Sequence, residues 1–456
     1  MPDKSVFNLG DFINEQRVGA FQVLVAVICF LIVAIDGFDT ASIGFLAPAI
    51  GTEWNLTALQ LAPLFGAGLF GLMIGAFVFG PLADRLGRRT VLLFCVSFFG
   101  VACLTSATAD SLWTLAFLRF LTGLGIGGAL PNSVTLTSEY CPERHRLFMV
   151  TMMFCGFTIG SALGGLASAQ MVSSYGWRSV LVLGGALPLV LLPLMALRLP
   201  ESVRFLVTSG KDPRRIAAVL KRIDAQRDFA NLHIELPHKK PGGLPLGHLF
   251  RRDLIAGTLM LWLTFFMSLL IIYLLSSWLP TVLRSTGVSL KTASLVTMMF
   301  QVGGTSGAIL LGWLMDRFNP HFVLAGSYAA AGLFIAAVGT FTASPWLVGL
   351  MVFGAGFCIS GSQTGANALS ASFYPTDCRA TGVSWANGVG RAGSVVGSMF
   401  GGAMLAMALP MSIIFTLIAM PALVAGGTMF ALGRYRAAAG RRSLVGALEH
   451  APITRA

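Results

Sequence analysis

Twelve apolar segments, each about 20 residues long or longer, dominate this 456-residue chain and restrict its fold more than any other feature. An α-helix rises 1.5 Å per residue, so about 20 apolar residues cross the roughly 30 Å hydrocarbon core of a bilayer. The sequence therefore predicts an all-α membrane protein with 12 transmembrane helices. The predicted spans are 20–48, 58–81, 90–108, 112–136, 147–171, 177–198, 253–283, 291–315, 321–342, 346–369, 380–408 and 411–433.

The composition agrees with a chain that lies mostly within a membrane. Charged residues make up 11% of it, against about 25% in a soluble globular protein. The seven cysteines are odd in number, irregularly spaced and mostly within apolar segments. They predict free thiols rather than disulfides or a zinc site. The polar start of the chain has no short apolar core followed by a cleavage site, which predicts that the first span is retained.

The distribution of lysine and arginine predicts how the spans are oriented. If the N-terminus is cytoplasmic, 26 of the 31 lysines and arginines lie in cytoplasmic segments and three in outer loops. Positive loops stay on the cytoplasmic side. Both termini and the central loop are therefore predicted to be cytoplasmic, in a multi-pass protein of the inner membrane. The net charge of +12 then reflects topology and does not indicate nucleic-acid binding.

A long polar segment, 199–252, separates the first six spans from the last six. We expect a basic amphipathic helix within 211–227, because Asp212 and Pro213 suit a helix start. The apolar stripe of this helix consists of Ile216, Val219, Leu220 and Ile223. A stretch rich in proline and glycine, 237–245, follows it and predicts a linker. A solvated spacer with some lipid contact and a regulatory helix are equally good interpretations. The predicted domains are a six-helix bundle, this linker, a second six-helix bundle and a tail, over 1–198, 199–252, 253–434 and 435–456.

The two halves of the chain resemble each other. The stretch "GPLADRLGRR" (80–89) follows the second span, and "GWLMDRFNP" (312–320) follows the eighth. At an offset of 232, Gly71, Gly75, Gly80, Leu82, Asp84 and Arg85 recur as Gly303, Gly307, Gly312, Leu314, Asp316 and Arg317. At an offset of 233, Gly123, Gly128, Pro142, Arg146, Gly160, Ser161 and Gly164 recur as Gly356, Gly361, Pro375, Arg379, Gly393, Ser394 and Gly397. Two parallel repeats of six spans predict halves that rock about a binding site at the midplane.

Two carboxylates, Asp36 and Asp39, lie in the first span. A charged carboxylate at the centre of a membrane helix costs about 2.5–3.5 kcal/mol on insertion scales. Residues three apart lie on nearly one face of a helix, and we expect this face to line a wet cavity inside the bundle. We predict that the pair carries protons. The alternative is a buried structural pair that joins two helices.

Arg391 lies near the middle of the eleventh span. A guanidinium binds a carboxylate through two parallel hydrogen bonds, so Arg391 is predicted to hold the carboxylate of a substrate. A permanent salt bridge to Asp36 or Asp39 is the alternative, and both hold if the substrate and the aspartates compete for Arg391. Candidates to stack on an aromatic ring or to bond a ring hydroxyl are Phe38, Phe154, Tyr273, Trp278, Gln301, Asn367, Trp385 and Asn387.

Other charged residues are predicted to act in gating or in a charge network. We expect Arg119, in the fourth span, to pair with a first-span aspartate, either to control its protonation or for structure alone. Glu139 is assigned to an inner network beside the basic stretch that includes Arg146. We expect Asp84 near the start of a neighbouring helix, whose dipole favours a carboxylate. The remaining candidates, from the repeated loop and its copy, are Gly80, Arg85, Gly87, Arg88, Asp316 and Arg317.

These motifs resemble those of a known family. "GPLADRLGRR" resembles the loop signature of the major facilitator superfamily, and "RFLTGLGIGG" (119–128) resembles its fourth-span pattern. "FINEQ", "DGFDTASIGFLAPAI", "LPESVRFLV" and "GVGRAGS" are similar to the aromatic acid:proton symporter family. This resemblance covers essentially the whole chain and implies the major facilitator fold and transport of an acid of the 4-hydroxybenzoate or protocatechuate type. It also implies roles in transport for Asp36, Asp39, Asp84 and Arg391.

The sequence therefore predicts a secondary transporter, not an enzyme, that imports an aromatic carboxylate by proton symport. All six histidines lie in cytoplasmic segments or at span ends, so carboxylates are expected to carry the protons. No P-loop or metal motif occurs, which predicts no cofactor besides the coupling proton. The expected partners of this monomer are the substrate, protons and lipid. The alternatives are an exporter, antiporter or uncoupled facilitator of a small organic anion, and a membrane sensor of aromatic acids.

Overall fold

The computed structural model of this chain describes residues 6–210, 213–224, 229, 233–235, 249–251, 254–340, 344–374, 378–407 and 409–449. Twelve long helices, three short helices and two short strands make up the regular structure of these residues. The first half contains β1 (Val6–Asn8), α1 (Leu9–Glu15), α2 (Ala20–Glu53), α3 (Ala58–Leu86), α4 (Arg88–Ser106), α5 (Leu112–Tyr140), α6 (Glu143–Tyr175) and α7 (Trp177–Arg198). The remainder contains α8 (Val203–Thr208), α9 (Pro213–Leu220), β2 (His233–Glu235), α10 (Ile255–Ser285), α11 (Leu290–Arg317), α12 (Pro320–Val338), α13 (Pro345–Phe373), α14 (Arg379–Ala406) and α15 (Met411–Glu449).

The predicted all-α architecture is confirmed, because the long helices α2–α7 and α10–α15 fall on the predicted spans. Within the described residues, eleven helices are long and apolar enough to cross a membrane. The remaining long helix is α14, which has 28 residues but carries Arg391, three serines and one asparagine. Two features were not predicted. The last helix continues past 433 to Glu449, and β1 pairs in parallel with β2.

Two compact units divide the chain, and each is described by itself. The first unit consists of Met1–Gly243, Ser276–Met298 and Ser398–Ala406. It therefore holds the first-half helices together with the ends of α10 and α14 and the start of α11. The second unit consists of Leu244–Leu275, Met299–Gly397 and Met407–Ala456.

Glycines of the sequence repeat bring pairs of helices into backbone contact in the same way in each unit. A Cβ atom added at any of these glycines would overlap the backbone of the facing helix. Between α3 and α5 the contacts are Gly71–Phe120 and Gly75–Leu124, and between α11 and α13 they are Gly303–Phe353 and Gly307–Phe357. Between α6 and α2 the contact is Gly160–Ala34, and between α14 and α10 it is Gly393–Phe266. Each second-unit pair repeats a first-unit pair at the predicted offsets, so the repeat is confirmed as a repeat of helix contacts.

The helix predicted in the central loop is α9, and it is shorter than expected. Its apolar residues Ile216 and Leu220 are buried in the core of the first unit, with Phe12 of α1 and Leu206 of α8. The apolar stripe therefore contacts protein rather than lipid. The predicted cap Asp212 and the stretch 237–245 lie outside the described residues.

The second-half segments of the first unit pack closely on α2 and α3, towards the end that carries Glu53. A Cβ atom at Gly44 would overlap the carbonyl oxygen of Ser276. The rings of Phe65 and Trp278 lie 4.8 Å apart between centroids. Trp278 Nε1 donates a hydrogen bond to the carbonyl oxygen of Ser398. These segments thus form a close contact with α2 and α3, which we call the Glu53-end contact.

Candidate functional site

A buried ion pair joins α2 to α5 in the first unit. Arg119 Nη1 lies 2.8 Å from Asp39 Oδ1, and Arg119 Nη2 lies 2.9 Å from Asp39 Oδ2. Arg119 Nη2 also donates to the main-chain carbonyl of Asp39, at 3.2 Å. The exposed fractions of Asp39 and Arg119 are 1% and 3%. The pairing predicted for Arg119 is therefore observed, in the bidentate geometry that gives the strongest and most specific charge-assisted hydrogen bonds.

A small cavity adjoins this pair, between α2, α3 and α5. Its volume is about 20 Å³, which is room for about one water molecule. Asp39, Thr40 and Arg119 supply the polar part of its wall. Apolar and glycine residues complete the wall, namely Ile43, Leu64, Phe65, Gly68, Leu69, Leu72, Gly123 and Ile126.

A third side chain, which sequence reasoning missed, also contacts Asp39. The Sγ atom of Cys103 in α4 donates to Asp39 Oδ1 at 3.1 Å, and it lies 3.4 Å from the carbonyl oxygen of Leu181 in α7. Asp39 Oδ1 therefore accepts from both Arg119 and Cys103. A cysteine within an apolar span is more often packing than chemistry, so no local signal distinguished Cys103 from the other six thiols.

Asp36 lies one turn before Asp39 and is also buried, with an exposed fraction of 3%. Its Oδ1 atom accepts a hydrogen bond from Thr40 Oγ1 at 3.0 Å. The helix is held close to α6 at this level, because Gly37 contacts the backbone of Phe157 and Ser161 Oγ donates to the Gly37 carbonyl at 3.0 Å. The two predicted proton carriers are thus both inside the protein, on the part of α2 that packs against α6.

The repeat shows that the ion pair is not needed to build a six-helix bundle. At the offsets of the repeated helix contacts, Asp39 corresponds to Ile271 of α10 and Arg119 to Val352 of α13. Ile271 and Val352 are both buried. Apolar residues of similar volume often replace a buried ion pair without loss of stability. The second half has such residues, so the charges of the first half call for a reason other than folding.

Arg391 lies in the second unit, on α14, and is half-buried. Its Nη1 atom donates to the hydroxyl oxygen of Tyr273 in α10, at 3.1 Å. Tyr273 is one of the predicted companions of Arg391 and is buried. The equivalent positions in the first half are Thr158 and Ala41. The guanidinium and the phenol therefore form a polar group that only the second half possesses.

The other predicted substrate contacts are divided between the two units. Trp278 belongs to the first unit and packs in the Glu53-end contact. Trp385 is exposed and stacks on Trp262, with ring centroids 5.9 Å apart. Phe38 is buried in the first unit beside Gly184, and Phe154 is exposed. The predicted amides are in the second unit, where Gln301 is buried and Asn367 and Asn387 are half-buried.

A charge network surrounds Arg88 at the start of α4. Arg88 contacts Asp84 Oδ1 at 3.1 Å, Glu139 Oε1 at 3.2 Å and Asn132 Oδ1 at 3.4 Å. The network links α3, α4 and α5, and the basic partner of Glu139 in it is Arg88 rather than the predicted stretch that includes Arg146. Arg146 lies outside it and forms a looser pair with Glu143, at 3.7 Å.

The carboxylate at the start of α4 is Glu201 rather than the expected Asp84. Glu201 Oε1 accepts from the main-chain N–H of Arg89 at 3.1 Å, where the helix dipole favours a negative charge. Asp84 is exposed and pairs with Arg88 instead. The turn before α4 has φ +98° at Gly87, where a Cβ atom would overlap Glu201.

The copy of this loop in the second half is simpler. Asp316 and Arg317 are both exposed, and the Arg317 guanidinium lies 4.1 Å from the ring centroid of Trp313. The position equivalent to Arg88 is Pro320, so the second-half loop lacks the arginine that joins the three helices in the first half. In the first-half loop Arg85 is exposed, and Gly80 has open space where a Cβ atom would lie.

Comparisons with known proteins agree with this architecture. A sequence model of the Major Facilitator Superfamily matches residues 29–398, and a second match covers 261–454. The chain is 45% identical over 439 residues to the gallate transporter of Pseudomonas putida, covering 95% of this chain and 97% of that protein. It is 44% identical over 422 residues to the 4-hydroxybenzoate transporter of Acinetobacter baylyi, covering 92% of each.

Solved structures share the fold at low sequence identity. The D-xylose-proton symporter matches with a TM-score of 0.69 at 18% identity, covering 90% of this chain and 97% of that one. A bacterial homologue of the human lysosomal transporter Spinster, in an inward-facing and occupied conformation, also matches with a TM-score of 0.69, at 17% identity. That match covers 93% of this chain and 98% of the other.

Proposed function

This chain belongs to the Major Facilitator Superfamily, and we propose that it imports a hydroxylated aromatic carboxylate by proton symport. The proposed substrates are acids of the 4-hydroxybenzoate, protocatechuate or gallate type. The observation that carries this proposal is the identity of 44–45%, over more than nine-tenths of the chain, to relatives named for gallate and 4-hydroxybenzoate transport. The two identities are nearly equal, so the proposal names the class of acid rather than one member.

Arg391 and Tyr273 are the proposed site for the substrate carboxylate. A guanidinium is always charged and matches a carboxylate in bidentate geometry, while a phenol adds a further donor or acceptor. The contact between Arg391 and Tyr273 supports this role, because it holds the guanidinium in place through a neutral partner. A neutral partner leaves the positive charge of Arg391 to attract an anion.

Asp39, with Asp36 one turn away, is the proposed proton carrier. In the ionised state Asp39 compensates the charge of Arg119 in a buried environment. Protonation of Asp39 leaves the positive charge of Arg119 uncompensated where solvent screens it poorly, and this favours the entry of an anion. Proton binding and substrate binding would then support each other, which is the thermodynamic requirement for symport.

The proposed setting is the inner membrane, with both termini and the central loop cytoplasmic and with the Glu53-end contact on the outer side. Lysine and arginine distribution supports this orientation. We propose a monomer that has no cofactor besides the coupling proton and no enzymatic activity. One proton carried with one monoanion would be electroneutral, and a second proton would add about 2.3 kcal/mol for each 100 mV of membrane potential.

The test is uptake of labelled 4-hydroxybenzoate, protocatechuate and gallate into vesicles reconstituted with the full chain, under an inwardly directed proton gradient. Accumulation that a protonophore abolishes is the expected result. Entry that only equilibrates the substrate across the membrane and ignores the protonophore would indicate an uncoupled facilitator, and proton release on substrate entry would indicate an antiporter. Binding without any entry would indicate a sensor. Any of these three outcomes overturns the proposal, and full accumulation by Asp39→Asn and Arg391→Lys variants would overturn the assigned residues.

A further inference from the structure

The thiol of Cys103 lies within reach of two acceptors in the first unit. One is Asp39 Oδ1, at 3.1 Å, and the other is the carbonyl oxygen of Leu181, at 3.4 Å. The thiol is fully buried. It has a single hydrogen atom, so it makes its main hydrogen bond to one acceptor at a time.

We propose that Cys103 is a positioning residue for proton coupling, whose S–H group changes acceptor with the protonation state of Asp39. It donates to Asp39 when the carboxylate is ionised, and it turns towards the Leu181 carbonyl when Asp39 binds a proton. This inference rests on the proposed function, because it takes Asp39 as the site that gains and loses the coupling proton.

Because two acceptors lie next to the Cys103 thiol, the S–H group can change its hydrogen-bond partner at a low free-energy cost. An ionised carboxylate accepts hydrogen bonds more strongly than a protonated one, so the S–H group points to Asp39 in the ionised state. When Asp39 is protonated, a donor that had no second acceptor would be left buried and unsatisfied, which is costly. The Leu181 carbonyl supplies that acceptor. Only rotation of the S–H bond is needed, without movement of a helix.

The weakness of the thiol as a donor suits this role. A hydroxyl group at the same place would bond the carboxylate more strongly and favour the ionised state. An alkyl side chain would remove the donor and favour the protonated state. A thiol lies between these cases, so both protonation states of Asp39 stay accessible during a transport cycle.

The charged and titratable groups that face Asp39 come from three helices. They are Asp36 on its own helix α2, Arg119 on α5 and Cys103 on α4. The neighbours on the other adjoining helices are neutral: Phe65 of α3 lines the same cavity, Ser161 of α6 bonds the Gly37 carbonyl, and Leu181 of α7 accepts from Cys103. Cys103 is therefore the neutral hydrogen-bond donor through which a substitution can change the protonation of Asp39 without changing the net charge around it.

The experiment measures protonophore-sensitive uptake against external pH for Cys103→Ala and Cys103→Ser. Matched controls are Cys95→Ala and Cys95→Ser, because Cys95 is an equally buried thiol two turns earlier on α4. We expect Cys103→Ala to move the pH of half-maximal uptake upward by about half a unit to one unit, since the ionised form of Asp39 loses a donor. Cys103→Ser should stay near the wild type or move downward, and the Cys95 variants should match the wild type. Equal shifts in the same direction for both Cys103 variants, or none, would overturn the proposal.

A spectroscopic readout separates this inference from the proposed function. The S–H stretch absorbs in an infrared region that other protein groups leave clear, and its frequency depends on the acceptor. The difference spectrum of wild type minus Cys103→Ala isolates the band of Cys103. We expect this band to shift between high and low pH, and a band that stays fixed would refute the change of acceptor. A moving band in a protein whose uptake ignores protonophores would instead refute the proposed symport and leave the thiol contact intact.

Discussion

The charged side chains inside the membrane were predictable from the sequence, but their pairing was not. Asp39, Arg119 and Arg391 stood out because charges within apolar spans are costly and therefore rare. The sequence left either Arg119 or Arg391 as the partner of a first-span aspartate. The choice depends on the rotation of α2 against α5, which brings together residues 80 positions apart. Cys103 could not be predicted, because its chemistry arises from the orientation of α4 towards Asp39.

The first prediction uses the second half as a template for removing the ion pair. Asp39→Ile alone or Arg119→Val alone leaves one buried charge without its partner, and we expect a loss of about 3–5 kcal/mol of stability. The double variant carries the residues found at Ile271 and Val352, so it should recover most of that loss. Thermal unfolding in detergent measures this recovery. Uptake should remain absent in the double variant, and a double variant that still accumulates substrate against a gradient would show the pair to be structural.

The second prediction concerns the affinity for the substrate carboxylate. Arg391→Lys loses the bidentate geometry of a charge-assisted contact worth about 1.5–3 kcal/mol, so KM should rise about 10-fold to 150-fold. Tyr273→Phe removes one neutral hydrogen bond and should raise KM by about 10-fold or less. Initial uptake rates over a range of substrate concentrations give KM and Vmax. Arg434→Lys, at an exposed arginine of α15, is the control and should leave KM unchanged. An Arg391→Lys variant with wild-type KM would contradict the proposed contact.

Helix packing followed from the sequence more closely than side-chain chemistry did. The glycine repeat predicted two similar halves, and the same glycines make the close contacts of α3 with α5 and of α11 with α13. A glycine in a helix allows the backbone of a neighbouring helix to come close, whichever residue of that helix faces it. Hydropathy was less informative for α14, because a helix with an arginine and several polar side chains resembles a membrane span less than its neighbours do.

The third prediction tests one of these contacts with a control on the same helix. Gly356 of α13 faces the backbone of Phe300, where a Cβ atom would overlap the carbonyl oxygen, whereas Gly349 two turns earlier has open space. We expect Gly356→Ala to cost about 1–3 kcal/mol, since α11 and α13 must separate to admit the methyl group. Gly349→Ala should be neutral or slightly stabilising, because alanine favours a helix. Unfolding temperatures in the same detergent compare the two. Equal effects would show that the α11–α13 contact adjusts freely.

At the scale of the whole molecule, the two halves share a framework and differ in their chemistry. The Asp39–Arg119 pair and the Arg88 network belong to the first half, and the Arg391–Tyr273 contact belongs to the second. The sequence repeat did not predict that the two halves carry different polar groups, because a repeat is identified from the residues that the halves share. The packing of second-half segments in the first unit was also not predictable. It depends on the contacts of Ser276 with α2 and of Trp278 with α3.

The last prediction concerns these segments. A transporter of this type exposes its site to one side at a time, so each end must close and open in every cycle. At the Glu53-end contact Gly44 meets the Ser276 carbonyl without room for a Cβ atom. Gly44→Ala should therefore weaken the Glu53-end contact by about 1–3 kcal/mol and lower the Vmax of uptake about 5-fold to 150-fold. KM should change less than Vmax, because the substitution adds a methyl group and removes no polar group.

Gly51→Ala is the matched control for this variant. It lies on the same helix two turns later, and its nearest neighbour is the end of the Leu61 side chain at 3.2 Å, which can shift. Its Vmax should stay within about twofold of the wild type, since a movable methyl group costs little. Trp278→Phe should act in the same direction as Gly44→Ala but more weakly, because it removes the hydrogen bond to Ser398 and leaves a smaller aromatic ring in place of the indole. Wild-type Vmax in Gly44→Ala would mean that α2 and α10 need not approach this closely during transport, and that the Glu53-end contact is not a gate.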